Sequence, residues 1–285
     1  NLTIMTNSSS LTPQPKPTQA PQPPSSPYQT LRIHLKTLRL SHMLAQWESL
    51  EHQAQQHQWS YAQFLLELCQ LEVDQRWCRR LERAKKDATL PAAKTVSNFD
   101  FDHLTQFNPA PLMQLTTDIR WLKQAQNCLI FGPSGVGKTH LAAAVAYAII
   151  DLGARAKFCS ATALVQQLQQ AKLHLQLPAL LKKLDRYDLL VVDDLGYVKK
   201  SEAETSVLFE LIALRYERKS LLVTANQPFS QWHHIFTDNM MTVAAVDRLV
   251  HHALIVEIKA DSYRKQAAAN KQKHHNTDDS QQRPP

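Results

Sequence analysis

From about residue 28 to residue 94, apolar side chains recur at three- and four-residue steps, as in LRIHLKTLRLSHMLAQWESLEHQA and SYAQFLLELCQLEVDQRWCRRLERAKK. That is the period of amphipathic helices, and it predicts a small all-α domain. Ser60 and Gln63 have the spacing of a capping box at the start of the second stretch. Farther along, the pattern changes. Short apolar runs at 128–131, 157–160, 189–193, 221–225 and 254–258 alternate with helical stretches, one opened by the capping pair Ser201 and Glu204. Strands separated by helices predict an α/β fold, a five-stranded parallel sheet flanked by helices on both faces.

The segments between these patterns set the expected boundaries. Residues 1–30, with PQPKPTQAPQPPSSP, hold too little apolar surface to offset ordering entropy and are expected to be a disordered, partly polyproline II tail. A helical domain is expected over 31–95. LPAAKTVSNFDFDHL has Pro, Ser and Asn without helical period, and reads as a linker into a second domain over 96–269. NKQKHHNTDDSQQRPP, 270–285, reads as a second disordered tail. No internal repeat is visible.

Composition narrows the class. The chain has 285 residues, 44% hydrophobic and 20% charged, ordinary for a soluble globular protein. No apolar run reaches the ~18 residues of a membrane span. The first residues lack a basic stretch followed by an apolar one, so a secretory signal is not expected and a cytoplasmic location is. The net charge of +7 favours a polyanionic partner, above all nucleic acid, although mildly basic soluble proteins are common. Four cysteines form no C-x-x-C pair, which leaves buried free thiols as the expectation. Among thirteen histidines are the doublets His233-His234, His251-His252 and His274-His275. Adjacent histidines on a helix do not share a face, so no metal site is expected from them.

The end of the helical domain carries a one-sided charge. Arg76, Arg79, Arg80 and Arg83 lie at i, i+3, i+4 and i+7, extended by Lys86, with Glu82 the one acid between the ends of that row. Two readings stand: a solvated helix face, or contact with a phosphate backbone, which gives affinity rather than base reading.

Three of the chain's five glycines fall in one stretch, LIFGPSGVGKTHLAAAVAYA. Gly132, Pro133, Ser134, Gly135, Val136, Gly137, Lys138 and Thr139 fit G-x-x-x-x-G-K-[ST] without a gap. The glycines admit backbone conformations and close approach that a Cβ blocks. The loop then turns successive N–H groups, and the start of the next helix, towards a phosphate. Lys138 bridges β- and γ-phosphate oxygens in such a loop, and the Thr139 hydroxyl is a Mg²⁺ ligand.

DLLVVDDLG supplies a buried strand ending in two carboxylates. Asp193 is expected to hold Mg²⁺ and Asp194 to polarise an attacking water; capping the next helix is the other use for such acids. SLLVTANQPF ends a further strand on Asn226, placed either to orient water or to form the turn before Gln227-Pro228. Arg248, read as following a short helix, and Arg264 are candidates to stabilise charge on a transferring phosphoryl group, or else form surface ion pairs.

In order, GPSGVGKTHLAAA, YDLLVVDDLGY, LRYERKSLLVTANQPF and VDRLVHHALIVEIKADSYR resemble the IstB family, ATPase helpers of insertion-sequence transposases close to DnaC helicase loaders and DnaA-like initiators. The likeness covers roughly 31–267. The Walker motifs alone are generic; HLAAA, RYERKS, TANQPF and DSYR are more specific. The resemblance implies an AAA+ P-loop ATPase that binds ATP and Mg²⁺ at subunit interfaces of a homo-oligomer, with duplex DNA and a transposase as partners. Lys138 and Thr139 match the Walker A pair, with His140 beside them against the nucleotide. Asp193 and Asp194 match the Walker B acids, Asn226 the sensor asparagine, Arg248 an arginine acting in trans, and Arg264 a second sensor. In the initiator clade a helical insertion lines the oligomer's inner face, where Lys172, Lys182 and Lys183 are candidates for phosphate contact beside the reading of plain exposed lysines. The second Walker B acid is often Glu; the shorter Asp194 implies slow hydrolysis, suited to a switch.

The leading expectation is therefore a DNA-dependent ATPase helper of transposition that assembles on duplex DNA with ATP, stimulates a transposase and disassembles on hydrolysis. A replicative helicase loader is the nearest alternative. A small-molecule kinase lacks a candidate lid, and an ATP-binding assembly protein without turnover is separable by kinetics alone.

Overall fold

A computed structural model describes residues 26–102, 104, 107–196, 201–228, 231–232 and 239–259. It divides into two compact units, one ending at Trp77 and the other beginning at Cys78.

The first unit is helical: α1 Pro27–Thr37, α2 Ser41–Gln56 and the first part of α3 Tyr61–Ala88. Its core is small, with Leu35, Trp47, Leu50 and Leu68 buried together. Helix α1 starts inside the stretch expected to be tail, because Ser26 accepts from the Gln29 N–H and Pro27 takes the first helical turn, where its missing N–H costs nothing. At the start of α3, Gln63 N donates to Ser60 Oγ at 3.2 Å. The Gln63 side chain turns forward to Glu67 at 2.7 Å rather than back to complete the expected box. Helix α2 is capped from a distance. Its N-cap, Leu40, has no side-chain acceptor, and Glu72 of α3 takes the N–H groups of His42 at 2.8 Å and Met43 at 3.3 Å.

The helical unit ends earlier than the 31–95 span expected from composition. From Ala84 on, the last turns of α3 pack into the core of the second unit, where Ala88 has no exposed surface. The linker-like stretch follows, holding a 3₁₀ turn at Val96–Asn98. Then come α4 Ala110–Thr117, α5 Arg120–Lys123, β1 Asn127–Phe131, α6 Lys138–Asp151, β2 Ala156–Ser160, α7 Ala161–Leu173, α8 Leu177–Leu184, β3 Leu189–Leu195, α9 Glu202–Arg215, β4 Ser220–Ala225, α10 Asn239–Val250 and β5 Ala253–Glu257. The strands form one sheet in the order β2-β3-β4-β1-β5, and every pairing is parallel.

Both faces of the sheet are apolar, as a doubly covered parallel sheet requires. Alternate residues supply the two sides. Leu129, Phe131, Leu190, Val192, Leu221 and Val223 pack with α7, α8, α9 and Trp232. Cys128, Ile130, Leu189, Val191 and Leu222 pack on the other side with α4 and α6. The alanines of α6 let that helix lie close to the sheet; Ala142, Ala143, Ala144 and Ala146 are all buried. Burial of this kind pushes the Cys128 thiol up to about 12; Cys69 and Cys159 are half-buried and Cys78 is exposed, so the expectation of buried thiols holds for Cys128 alone.

Arg215, from RYERKS, fastens the sheet's amino edge. It is 1% exposed and donates to the carbonyls of Leu184, Tyr187 and Ser220 at 3.1, 3.1 and 2.8 Å. One guanidinium thus joins the end of α8 to the starts of β3 and β4. Burial lowers it to about 10, so it remains charged at neutral pH. Ser201 and Glu204 cap α9 reciprocally, as their spacing predicts.

Candidate active site

Because the strands are parallel, the segments that follow β1, β3 and β4 emerge on one edge of the sheet. The glycine loop leaves β1 after Phe131 and enters α6 at Lys138. Gly137 stands at φ 96°, the left-handed region, where a Cβ would also meet the Phe99 ring at 2.6 Å. A Cβ on Gly132 would meet the Ile258 carbonyl oxygen at 2.7 Å. These two positions show why the loop needs bare backbone: one for conformation, both for close approach.

Lys138 is 6% exposed. Its ammonium donates to the carbonyls of Gly132 at 2.9 Å and Pro133 at 2.8 Å, and to Asn226 Oδ1 at 2.7 Å. The lysine after the loop and the polar residue beyond β4 therefore meet across 88 positions of sequence.

The two acids are set by an irregularity. Val192 pairs with Val223, and Leu195 with Ala225, so Asp193 and Asp194 together face the single residue Thr224. This is a β-bulge, a device that re-aims side chains next to functional sites. Thr224 is 1% exposed and serves both acids. Its hydroxyl donates to Asp193 Oδ1 at 2.6 Å and accepts from the Asp194 N–H at 2.8 Å. Asp194 has φ 64°. That left-handed conformation is rare outside glycine, and Asp and Asn tolerate it best. Asp193 is buried, whereas Asp194 is exposed.

Lys138, Thr139, His140, Asp194 and Asn226 line one cavity of about 280 Å³ with Ser134, Gly135 and Gly137. Its opposite wall is the stretch read as a linker: Lys94, Asn98, Phe99 and Asp100. Phe99 stands edge-on to His140, with ring centroids 5.1 Å apart, and His140 Nε2 lies 2.9 Å from the Thr95 carbonyl oxygen. The sequence reading missed this wall and missed Thr224. The signals were there: aromatic residues at alternate positions in NFDF, and a hydroxyl inside an apolar strand two residues before Asn226.

Arg248 lies elsewhere. It sits in the last turn of α10, not after it, and its neighbour Leu249 accepts from Asn127 Nδ2 at 3.0 Å. Asn127 opens β1, and the glycine loop leaves the other end of that five-residue strand, about 15 Å away at ~3.3 Å per residue. The Arg248 guanidinium rests over the Phe209 ring at 5.1 Å and the Tyr216 ring at 5.9 Å, and donates to the Ala244 carbonyl at 3.0 Å. Arg264 lies outside the described residues.

The candidate DNA contacts fall into two groups. Arg79, Arg80, Arg83 and Lys86 are exposed on α3, and Lys182 and Lys183 are exposed on α8. Arg76 and Lys172 are also exposed, and each has a partner within the chain. Arg76 pairs with Glu72 at 3.0 Å and donates to the Arg39 carbonyl at 3.1 Å. Lys172 pairs with Glu210 at 2.7 Å and reaches Ser206 at 3.2 Å. For these two, the ion pairs stand beside the expectation of phosphate contact, since both side chains remain about half exposed.

Comparison with known proteins agrees with this layout. Residues 33–271 match the family described as IstB-like ATP binding protein. A relative from Sinorhizobium fredii, named as an insertion sequence ATP-binding protein, is 47% identical over 244 residues, covering 86% of this chain and 82% of its own. The insertion sequence IS21 ATP-binding protein of Pseudomonas aeruginosa is 34% identical over 234 residues, covering 82% of this chain and 88% of its own. Among solved structures, AMPPCP-bound DnaA from Aquifex aeolicus gives a TM-score of 0.51 at 18% identity, over 65% of this chain and 56% of that one, a likeness of fold. Among the described residues, no helix is long and apolar enough to cross a membrane.

Proposed function

The chain belongs to the IstB-like ATP-binding protein family, with the AAA+ P-loop fold, and from that premise we propose that it hydrolyses ATP as a DNA-bound helper of transposition. The observation that carries the reading is the single cavity shared by Lys138, Thr139, Asp194 and Asn226. In it, the loop N–H groups and Lys138 bind the triphosphate, and Asn226 orients a water. Asp194 accepts that water's proton as the water oxygen bonds to the γ-phosphorus and the bond from that phosphorus to the bridging oxygen breaks, releasing ADP and phosphate. The donor set suits Mg²⁺: the Thr139 hydroxyl and the Asp193 carboxylate, both oxygen ligands, would hold it, and it would neutralise charge on the phosphates.

Arg248 supports a shared site. Standing a strand's length from its own glycine loop, it serves no nucleotide of its own chain, and we assign it to a neighbour's. ATP bound between subunits then stabilises the assembled state over the free subunits, and hydrolysis releases it. The relatives' names place them in insertion sequences; carried to this chain, that makes a transposase the partner that the DNA-bound assembly stimulates. Exposed Arg79, Arg80, Arg83 and Lys86 supply backbone contacts to duplex DNA.

The test is duplex DNA binding with ATP, with ADP and without nucleotide, followed by strand transfer with the element's own transposase. ATP-dependent binding that raises strand transfer, with both lost in Lys138→Ala, supports the reading. ATP-dependent binding that loads a replicative helicase and leaves strand transfer unchanged overturns it in favour of a loader.

A further inference from the structure

We infer that the carboxyl ends of α9 and α10 form a binding site for a divalent transition metal of the zinc class, with Glu217, His251 and His252 as its protein ligands. The site lies at the sheet's amino edge and uses no residue of the nucleotide cavity.

Helix α9 ends at Arg215 and is capped by Tyr216, so Glu217 is the first residue beyond the cap, at φ 57°. Helix α10 ends at Val250, and His252 stands two residues on, at φ 60°. Both occupy the left-handed position at which helices commonly stop, usually a glycine. At His252 that turn has a consequence the sequence spacing hides. Successive residues on a helix point about 100° apart, and adjacent imidazoles diverge. Beyond the helix end they do not: the His251 and His252 rings lie with centroids 3.9 Å apart. The expectation that this doublet cannot share a ligand therefore fails for a local reason.

Glu217 reaches the same point from the other helix. Its Oε1 is 4.0 Å from His251 Nδ1, and one ligand atom from each of the three residues lies within 4.8 Å of the others. Tetrahedral zinc with bonds of about 2.0–2.2 Å sets its ligand atoms about 3.3–3.6 Å apart, so closure draws the atoms together by up to about 1.5 Å. The three side chains are exposed and have room to move that far.

Three further features favour a cation of this kind. Two helix carboxyl ends converge here, and each carries the partial negative charge of its helix dipole. Two imidazoles and one carboxylate match zinc, nickel or copper, not the all-oxygen sets of magnesium or calcium. The Tyr216 hydroxyl is 2.8 Å from His251 Nδ1 and holds that ring, leaving His251 Nε2 as its metal-ligating nitrogen. Supporting hydrogen bonds of this type fix ligand orientation in metal sites. Asp247 adds negative charge nearby, and Arg248, over the far side of the Tyr216 ring, opposes it. Three protein ligands leave a fourth position to water.

The experiment titrates metal-free, full-length protein with Zn²⁺ by calorimetry and with Co²⁺ by visible absorption. His252→Asn and Glu217→Asn suit the variants, since Asn tolerates the left-handed backbone and keeps the fold; metal-free melting temperatures check this. One equivalent of Zn²⁺ is expected, weakened tenfold or more in each variant and retained when His233, His234, His274 and His275 are all replaced by Ala. An isotherm unchanged in His252→Asn, or binding that disappears with the other doublets, overturns the site. Either result leaves ATP turnover, and the reading built on it, to be judged separately.

Discussion

Lys138 Nζ donates to Asn226 Oδ1 at 2.7 Å, so the residue expected on the γ-phosphate and the residue expected to orient water share one hydrogen bond. A phosphate oxygen arriving at Lys138 competes for the same ammonium protons, and the Asn226 amide is then available to turn towards water. Asn226→Ala is expected to bind ATP within a few-fold of wild type. Its turnover falls about 10²-fold, the usual effect of deleting one oriented polar group around a reacting centre. Parallel nucleotide titration and single-turnover hydrolysis separate the two effects.

Asp194 gives a second prediction. Its left-handed φ of 64° at the bulge suits aspartate, which tolerates that conformation better than the longer glutamate. Asp194→Asn preserves that conformation and removes the base, and is expected to lose turnover by about 10²–10⁴-fold while retaining ATP. Asp194→Glu adds reach but strains the bulge. We expect faster hydrolysis with a lower melting temperature, checked by steady-state turnover beside a thermal melt. Turnover unchanged in that variant removes side-chain length as the cause of a slow switch.

The Arg248 assignment makes a statement about mixtures. Arg248→Ala alone is expected to be inactive, and Lys138→Ala alone likewise. A mixture of the two regains turnover, because some interfaces pair an intact loop with an intact arginine. The mixing series measures this directly; two inactive proteins that stay inactive at every ratio place Arg248 outside the neighbour's site.

For DNA, replacing Arg79, Arg80 and Arg83 with Ala is expected to weaken duplex binding equally for unrelated sequences. Each lost phosphate contact lowers the slope of log K against log salt by about 0.9. Arg76→Ala, whose side chain is engaged by Glu72 and Arg39, leaves that slope nearly unchanged. Binding measured at several salt concentrations distinguishes the two.

The cap on α2 predicts an acid response. Burial pushes the Glu72 carboxyl up, but the N–H groups of His42 and Met43 and the Arg76 guanidinium outweigh it, and Glu72 titrates below the usual carboxylate range. Such a group contributes stability that is complete above its unfolded value, about 4.3, and is lost as pH falls through the folded one. Amide protection at His42 and Met43 should therefore drop below about pH 4. Glu72→Gln flattens that drop and costs about 1 kcal/mol at neutral pH, the scale of a lost helix cap.

Much of this was legible in the sequence, and the reasons are local. The five strands are short apolar runs between turn signals, and each lies within two residues of its expected bounds at either end. The glycine loop is contiguous, so its spacing alone locates it. What escaped depends on contacts between distant segments. The alternate aromatics of NFDF hint that LPAAKTVSNFDFDHL packs, but not that it walls the cavity. Thr224 looks like any strand residue until the bulge sets two acids against it. Arg215 looks like a surface charge until its carbonyl partners are in place. The His251 and His252 rings lie side by side because both residues stand beyond the end of α10, where helical spacing no longer applies.

The most direct measurement is steady-state ATP turnover with and without duplex DNA, beside Lys138→Ala. Turnover is expected to rise with duplex DNA and to be abolished in Lys138→Ala. Turnover indifferent to DNA, or surviving without Lys138, contradicts the proposed function.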